Sequence, residues 1–139
     1  MRIFSRRTSY VEPNLRLLYV DDDHSQLWVM KRRFRGLFDI TVASSGQEAL
    51  KLMEQPAAFD VVVSDYHMPG MDGMDVLDEA MQRQPDAIRI LVSGNMDNAL
   101  ATRALSAGSA TRVLDKTWQK DCLKRAVMEE LTRRLETGA

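Results

Sequence analysis

Short apolar runs recur along the chain, each breaking off at a polar turn and followed by a segment of helical period. Leu15-Arg-Leu-Leu-Tyr-Val20 suits a buried strand and stops at Asp21-Asp22-Asp23. From about Ser25 to Arg35, Leu27, Met30 and Phe34 fall on one helical face, and Gly36 supplies the stop. Residues 39–43 read as a second strand. Residues 45–55 read as a second helix, capped by Ser45 and broken by Pro56. The rhythm continues with strand 59–64, helix 74–82, strand 88–92, helix 97–106 closed by Gly108, strand 111–114 and a last helix from Trp118 to about Leu135. Residues 1–14 carry three arginines, no sustained period and a late proline, which predicts a flexible N-terminal arm ahead of a folded unit over 15–136.

Five strands alternating with five helices imply crossover connections and a doubly wound parallel sheet with helices on both faces, a three-layer α/β/α sandwich. Strands one, three and four are apolar almost throughout, as central parallel strands are. At 139 residues and 45% hydrophobic content, the chain fits one domain with its own core. Nineteen basic residues balance twenty acidic ones, so no overall charge excess calls for nucleic acid or a membrane surface. A single cysteine, Cys122, excludes an internal disulfide and a multi-thiolate zinc site. With no secretory signal and no long apolar run, the expected location is a reducing cytoplasm.

The polar exceptions to this apolar pattern all fall where strands end. Asp21, Asp22 and Asp23 follow the first strand, Asp65 the third, Ser93 the fourth, and Asp115 with Lys116 the fifth. In open parallel sheets the carboxyl ends of the strands are where ligands bind. Loops at that edge would gather several carboxylates around one point. Two like charges about 4 Å apart repel by roughly 4 kcal/mol at an effective dielectric near 20, so such a cluster recruits a cation or raises its pKa values. Magnesium, held by one or two carboxylates with waters and phosphate, suits a site of this size, and Lys116 adds further positive charge. Acids, a metal, a lysine and a small hydroxyl are what phosphoryl transfer to an acceptor carboxylate requires.

"LLYVDDDHS", "VVVSDYHMPGMDG", "ILVSGN" and "VLDKTW" together resemble, in order and spacing, the receiver domains of bacterial two-component response regulators, over about Leu15 to Leu135. The resemblance implies a flavodoxin-like fold and a phosphorelay switch rather than a turnover enzyme. By resemblance, Asp65 accepts a phosphoryl group from a phosphohistidine of a sensor histidine kinase or phosphotransfer protein. Asp21, Asp22, Asp65 and the backbone carbonyl of His67 would hold Mg2+, Ser93 would bond a phosphate oxygen, and Lys116 would pair with the phosphate. His67 and Asn95 border the path of the hydrolytic water in this family, so they would tune phosphate lifetime.

Two departures stand out. The family usually carries an aromatic three residues before the lysine, and here that position is Val113; proline usually follows the lysine across a cis bond, and here Thr117 does. A non-proline cis bond costs about 2.5–4 kcal/mol, so that loop is either strained or trans. After the last helix only Thr137-Gly-Ala remains. The downstream partner is then another protein or a C-terminal output domain of a longer chain, with no direct nucleic-acid contact; a homodimer is compatible with either.

Blander roles compete at each position. Asp23 is expected to cap the first helix and Asp115 to face solvent. Asp21 and Asp22 also suit a helix start, and His24 with His67 could be imagined in an imidazole–carboxylate metal site. Trp28 with Lys31, Arg32, Arg33 and Arg35 forms either a solvated face or part of a kinase-docking surface. The alternatives at the level of function are a degenerate receiver acting as a constitutive scaffold and a small metal-dependent phosphohydrolase.

Overall fold

A computed structural model describes residues 15–94, 98–116 and 120–137. Five strands and five helices alternate within it: β1 (Arg16–Val20), α1 (His24–Arg33), β2 (Asp39–Ala43), α2 (Gly46–Met53), β3 (Val61–Asp65), α3 (Gly73–Arg83), β4 (Ile88–Ser93), α4 (Asn98–Ser106), β5 (Arg112–Asp115) and α5 (Lys120–Thr137). The strands form one sheet, all parallel, in the order β2-β1-β3-β4-β5. The chain steps outward from β1 to β2, then returns to the other side of β1 and steps the opposite way. The carboxyl ends of β1 and β3 therefore flank the point at which the order reverses.

Because successive strand residues face opposite ways, each strand feeds two cores. Leu17, Tyr19, Val61, Val63, Ile90 and Val92 meet Leu27, Met30 and Phe34 of the α1 segment and Leu123, Val127 and Leu131 of α5. Leu18, Val20, Val62 and Leu91 meet Ala49 and Met53 of α2, Val76, Leu77 and Ala80 of α3, and Ala104 of α4. These two cores account for the apolar character of β1, β3 and β4. A fully buried valine or leucine contributes about 1.5–3 kcal/mol, and a solvent-facing position would contribute little.

The caps fix where several helices begin. Asp23 accepts from the amides of Ser25 and Gln26 ahead of α1, and Ser45 accepts from the amide of Glu48 ahead of α2. Before α3, Asp72 and Asp75 bond reciprocally to each other's amides, a capping box that the apolar pattern does not reveal. Most boundaries shift by one or two residues from expectation, those of α1 and β3 among them. α1 ends at Arg33, with Phe34 as its cap, and Gly36 lies beyond it at φ +86°. β3 starts at Val61 rather than Phe59, because the Phe59 amide bonds the buried Gln84 side chain at 2.8 Å, outside the ladder. The expected arm over 1–14, the Asp97 start of helix four, the Trp118 start of the last helix and the Lys116–Thr117 bond lie outside the described residues.

Between β3 and α3 the chain turns tightly enough to need glycine twice. Gly70 sits at φ +75°. Gly73 presses on the end of β3: a β-carbon there would collide with the carbonyl oxygen of Asp65 and come within 2.8 Å of both Leu91 Cδ1 and Tyr66 Cα. The Gly73 amide closes the turn on the Tyr66 carbonyl at 2.9 Å. Gly73→Ala is expected to destabilise the fold by about 1–3 kcal/mol through forced backbone movement. Gly94→Ala, whose nearest neighbour would be Lys116 Cβ at 3.9 Å, should change stability little. Chemical denaturation of both variants checks the contrast.

Candidate functional site

Strand register brings the site together. Tyr19 pairs with Val63, so two residues further on Asp21 and Asp65 stand on the same face at the same level. Val92 pairs with Leu114, and two residues beyond Leu114 comes Lys116 on that face. The Lys116 amide is fixed by the Ser93 carbonyl at 3.0 Å. Its ammonium then reaches Asp21 Oδ2 at 3.0 Å and Asp65 Oδ2 at 3.4 Å. One cation thus bridges two carboxylates that have 0% and 5% exposure as residues.

Asp21 is held on every side. Its Oδ2 accepts from the Tyr19 hydroxyl at 3.0 Å as well as from Lys116, and its Oδ1 accepts from the Asp23 amide at 3.0 Å. Burial, with the charge of Asp21 beside it, pushes the Tyr19 hydroxyl far above the ordinary tyrosine range, so it stays a donor. Asp22 is exposed, yet it offers an oxygen within 4.8 Å of oxygens from Asp21 and Asp65.

The electrostatics follow from this crowding. Burial first, then the charge of Asp21, pushes the Asp65 carboxyl above its usual range; Lys116 pulls it back and Asp22 adds to the push. For Lys116, burial acts to lower the ammonium, but the hydrogen bond and charge of Asp21, then Asp65, outweigh it and leave it raised. Three carboxylates facing one ammonium leave two negative charges uncompensated. That donor set, oxygen only and doubly negative, fits a hard divalent cation such as Mg2+. Among the described residues no histidine joins the cluster. His24 and His67 both lie outside it, so the cluster gives the imidazole–carboxylate alternative no support.

The remaining expected residues are placed as follows. Ser93 is fully buried at the end of β4. The His67 ring stands edge-on to Tyr66, centroids 4.8 Å apart. Tyr66 in turn accepts a hydrogen bond from Arg103 of α4 at 3.3 Å. Val113 is half-buried against the cluster of Val62, Leu91 and Ala104, and Asp115 is exposed. Trp28 stays 60% exposed with the Arg32 guanidinium 4.7 Å over its ring. Asn95 lies outside the described residues. Sequence reasoning overlooked Tyr19, whose signal was its period-two relation to Asp21 along a strand otherwise aliphatic after Arg16.

The model of the response regulator receiver domain matches residues 17–128. The two-component response regulator ARR14 of Arabidopsis thaliana is 29% identical over 129 residues, 86% of this chain and 34% of that protein. The DNA-binding transcriptional regulator NtrC of Klebsiella pneumoniae is 36% identical over 91 residues, 65% of this chain and 19% of that protein. The chain thus spans about a third or less of the length of these curated relatives. Among solved structures, the response regulator receiver domain protein of Clostridium thermocellum superposes with a TM-score of 0.78 at 28% identity, covering 88% of this chain and 98% of that one. No described helix is long and apolar enough to cross a membrane. With its five-stranded parallel sheet and its acids and lysine at the carboxyl edge, the chain belongs to the response regulator receiver domain family.

Proposed function

We propose that this receiver accepts a phosphoryl group on Asp65 from a phosphohistidine of a sensor histidine kinase or phosphotransfer protein. The observation that carries the reading is the Lys116 ammonium shared by Asp21 and Asp65 at 3.0 and 3.4 Å, with Asp22 alongside. An Asp65 carboxylate oxygen forms the new O–P bond as the P–N bond breaks and its electron pair returns to the imidazole. Asp21, Asp22, Asp65 and the main-chain carbonyl of His67 would hold Mg2+, which when bound supplies positive charge for the phosphoryl oxygens. Lys116 moves its charge toward the phosphoryl group, and the Ser93 hydroxyl bonds one of its oxygens.

Attack requires Asp65 ionised, and burial opposes ionisation. Once the group is attached, changed contacts pass the signal to a protein surface, in a separate protein or in a longer form of the same chain. With Val113 in place of an aromatic, that change travels through other side chains and the backbone. A switch of this kind, with His67 and Asn95 tuning phosphate lifetime and no turnover of external substrates, belongs in the cytoplasm.

Because the folded-state pKa of Asp65 is raised, its favourable contribution to stability is complete below its ordinary pKa and is lost as pH rises through the folded value. In metal-free buffer, Asp65→Asn is therefore expected to melt several degrees higher than wild type at pH 7, and the gap should close as pH falls to about 4. Thermal melts across that range decide it, and a gap that widens on acidification refutes the shift.

Incubation with Mg2+ and acetyl phosphate, read by intact-protein mass, should give a single phosphoryl adduct that Asp65→Asn abolishes. Its absence would favour a phosphorylation-independent scaffold; many turnovers on external phosphate esters would favour a hydrolase. In the adduct, His67→Ala and Asn95→Ala are expected to change the dephosphorylation rate, and unchanged rates in both would remove their tuning role.

A further inference from the structure

We propose that Tyr19 is a positioning residue of this site: its hydroxyl keeps hold of the buried Asp21 carboxylate when Lys116 turns from Asp21 to a group on Asp65. The second half of this statement rests on the reading of Asp65 as a phosphoryl acceptor. The first half does not.

Tyr19 is fully buried in β1 with its ring in the core formed with Leu17, Leu27 and Val63. For that packing alone a phenylalanine would serve. The hydroxyl instead reaches past the core to Asp21 Oδ2, the same oxygen that Lys116 contacts, each at 3.0 Å. Asp21 has no exposed surface, so protein donors take the place of water around it. Of the two described donors at Oδ2, Lys116 is the one that also makes an ion pair with Asp65.

A dianionic phosphoryl group on Asp65 attracts the ammonium more strongly than a single carboxylate does. As Lys116 moves toward it, Oδ2 loses the ammonium inside the protein, where a buried acceptor short of a donor is costly even with Mg2+ held by the three acids. The Tyr19 hydroxyl comes from a central strand and does not depend on the loop that carries Lys116. It keeps that oxygen partnered and makes the departure of Lys116 affordable. Tyr19 thus matters little while Lys116 sits on Asp21 and more once it has left.

A double-mutant cycle on the unmodified protein tests the hold on Asp21. Tyr19→Phe is expected to lower Tm by about 2 °C in the wild-type background and by about 6 °C in Lys116→Met, where the hydroxyl is the donor left on Oδ2. Additive losses overturn the proposal. If Lys116→Met melts too low to measure, the same cycle is read in Asp65→Asn/Lys116→Met, which carries one buried acid fewer. The switching half is tested with Mg2+ and beryllofluoride. The apparent affinity of Tyr19→Phe, read from the rise in Tm, should fall about tenfold relative to wild type, and equal affinities refute it. If wild type forms no adduct at all, the acceptor reading of Asp65 and the switching half both fail. The cycle still decides the hold of Tyr19 on Asp21.

Discussion

One ammonium shared between two buried acids governs this molecule. Lys116 lies between Asp21 and Asp65 at hydrogen-bonding range of the first and slightly longer range of the second. Removing one partner from a buried ion pair typically costs about 3–5 kcal/mol, because the remaining charge is stranded away from water. Here the acids outnumber the cation, so the arrangement is incompletely neutralised even when intact. A fold that tolerates such a deficit at its sheet edge does so only by holding each group with other bonds: the Tyr19 hydroxyl and Asp23 amide on Asp21, and the Ser93 carbonyl on the Lys116 amide.

The sheet makes this holding possible. Parallel register across β1, β3, β4 and β5 brings their carboxyl ends to one level, and two cores clamp the sheet from both faces. Asp21 and Lys116 lie one residue past their strands, and the Ala43 and Ser93 carbonyls hold their amides. The side chains that meet do so because positions two residues apart on a strand point the same way, and parallel neighbours stay in step.

Most of this was legible in the residues. The nearly continuous apolar runs of β1, β3 and β4 identified the central strands, because only strands covered on both faces can be apolar on both sides. Asp21, Asp65 and Lys116 stood out as charges directly after apolar strands, and Asp23 and Ser45 as caps. What stayed hidden depends on distance along the chain. The Gln84 side chain takes the Phe59 amide from 25 residues away and shortens β3, which no local pattern encodes. The Asp72–Asp75 capping box uses an aspartate where the usual signal is a glutamate or glutamine. Tyr19 was hidden for a different reason: in a strand, a tyrosine among aliphatic residues reads as one more core side chain until its hydroxyl is seen to have a partner.

The crowding of Gly73 against the Asp65 carbonyl has a mechanical meaning. Two backbones touch there with no side chain between them, so nothing compressible separates the end of β3 from the beginning of α3. A main-chain displacement at residue 65 therefore bears directly on the first residue of that helix, with no side chain to take it up. The smallest side chain in the segment thereby sets the stiffness of its connection.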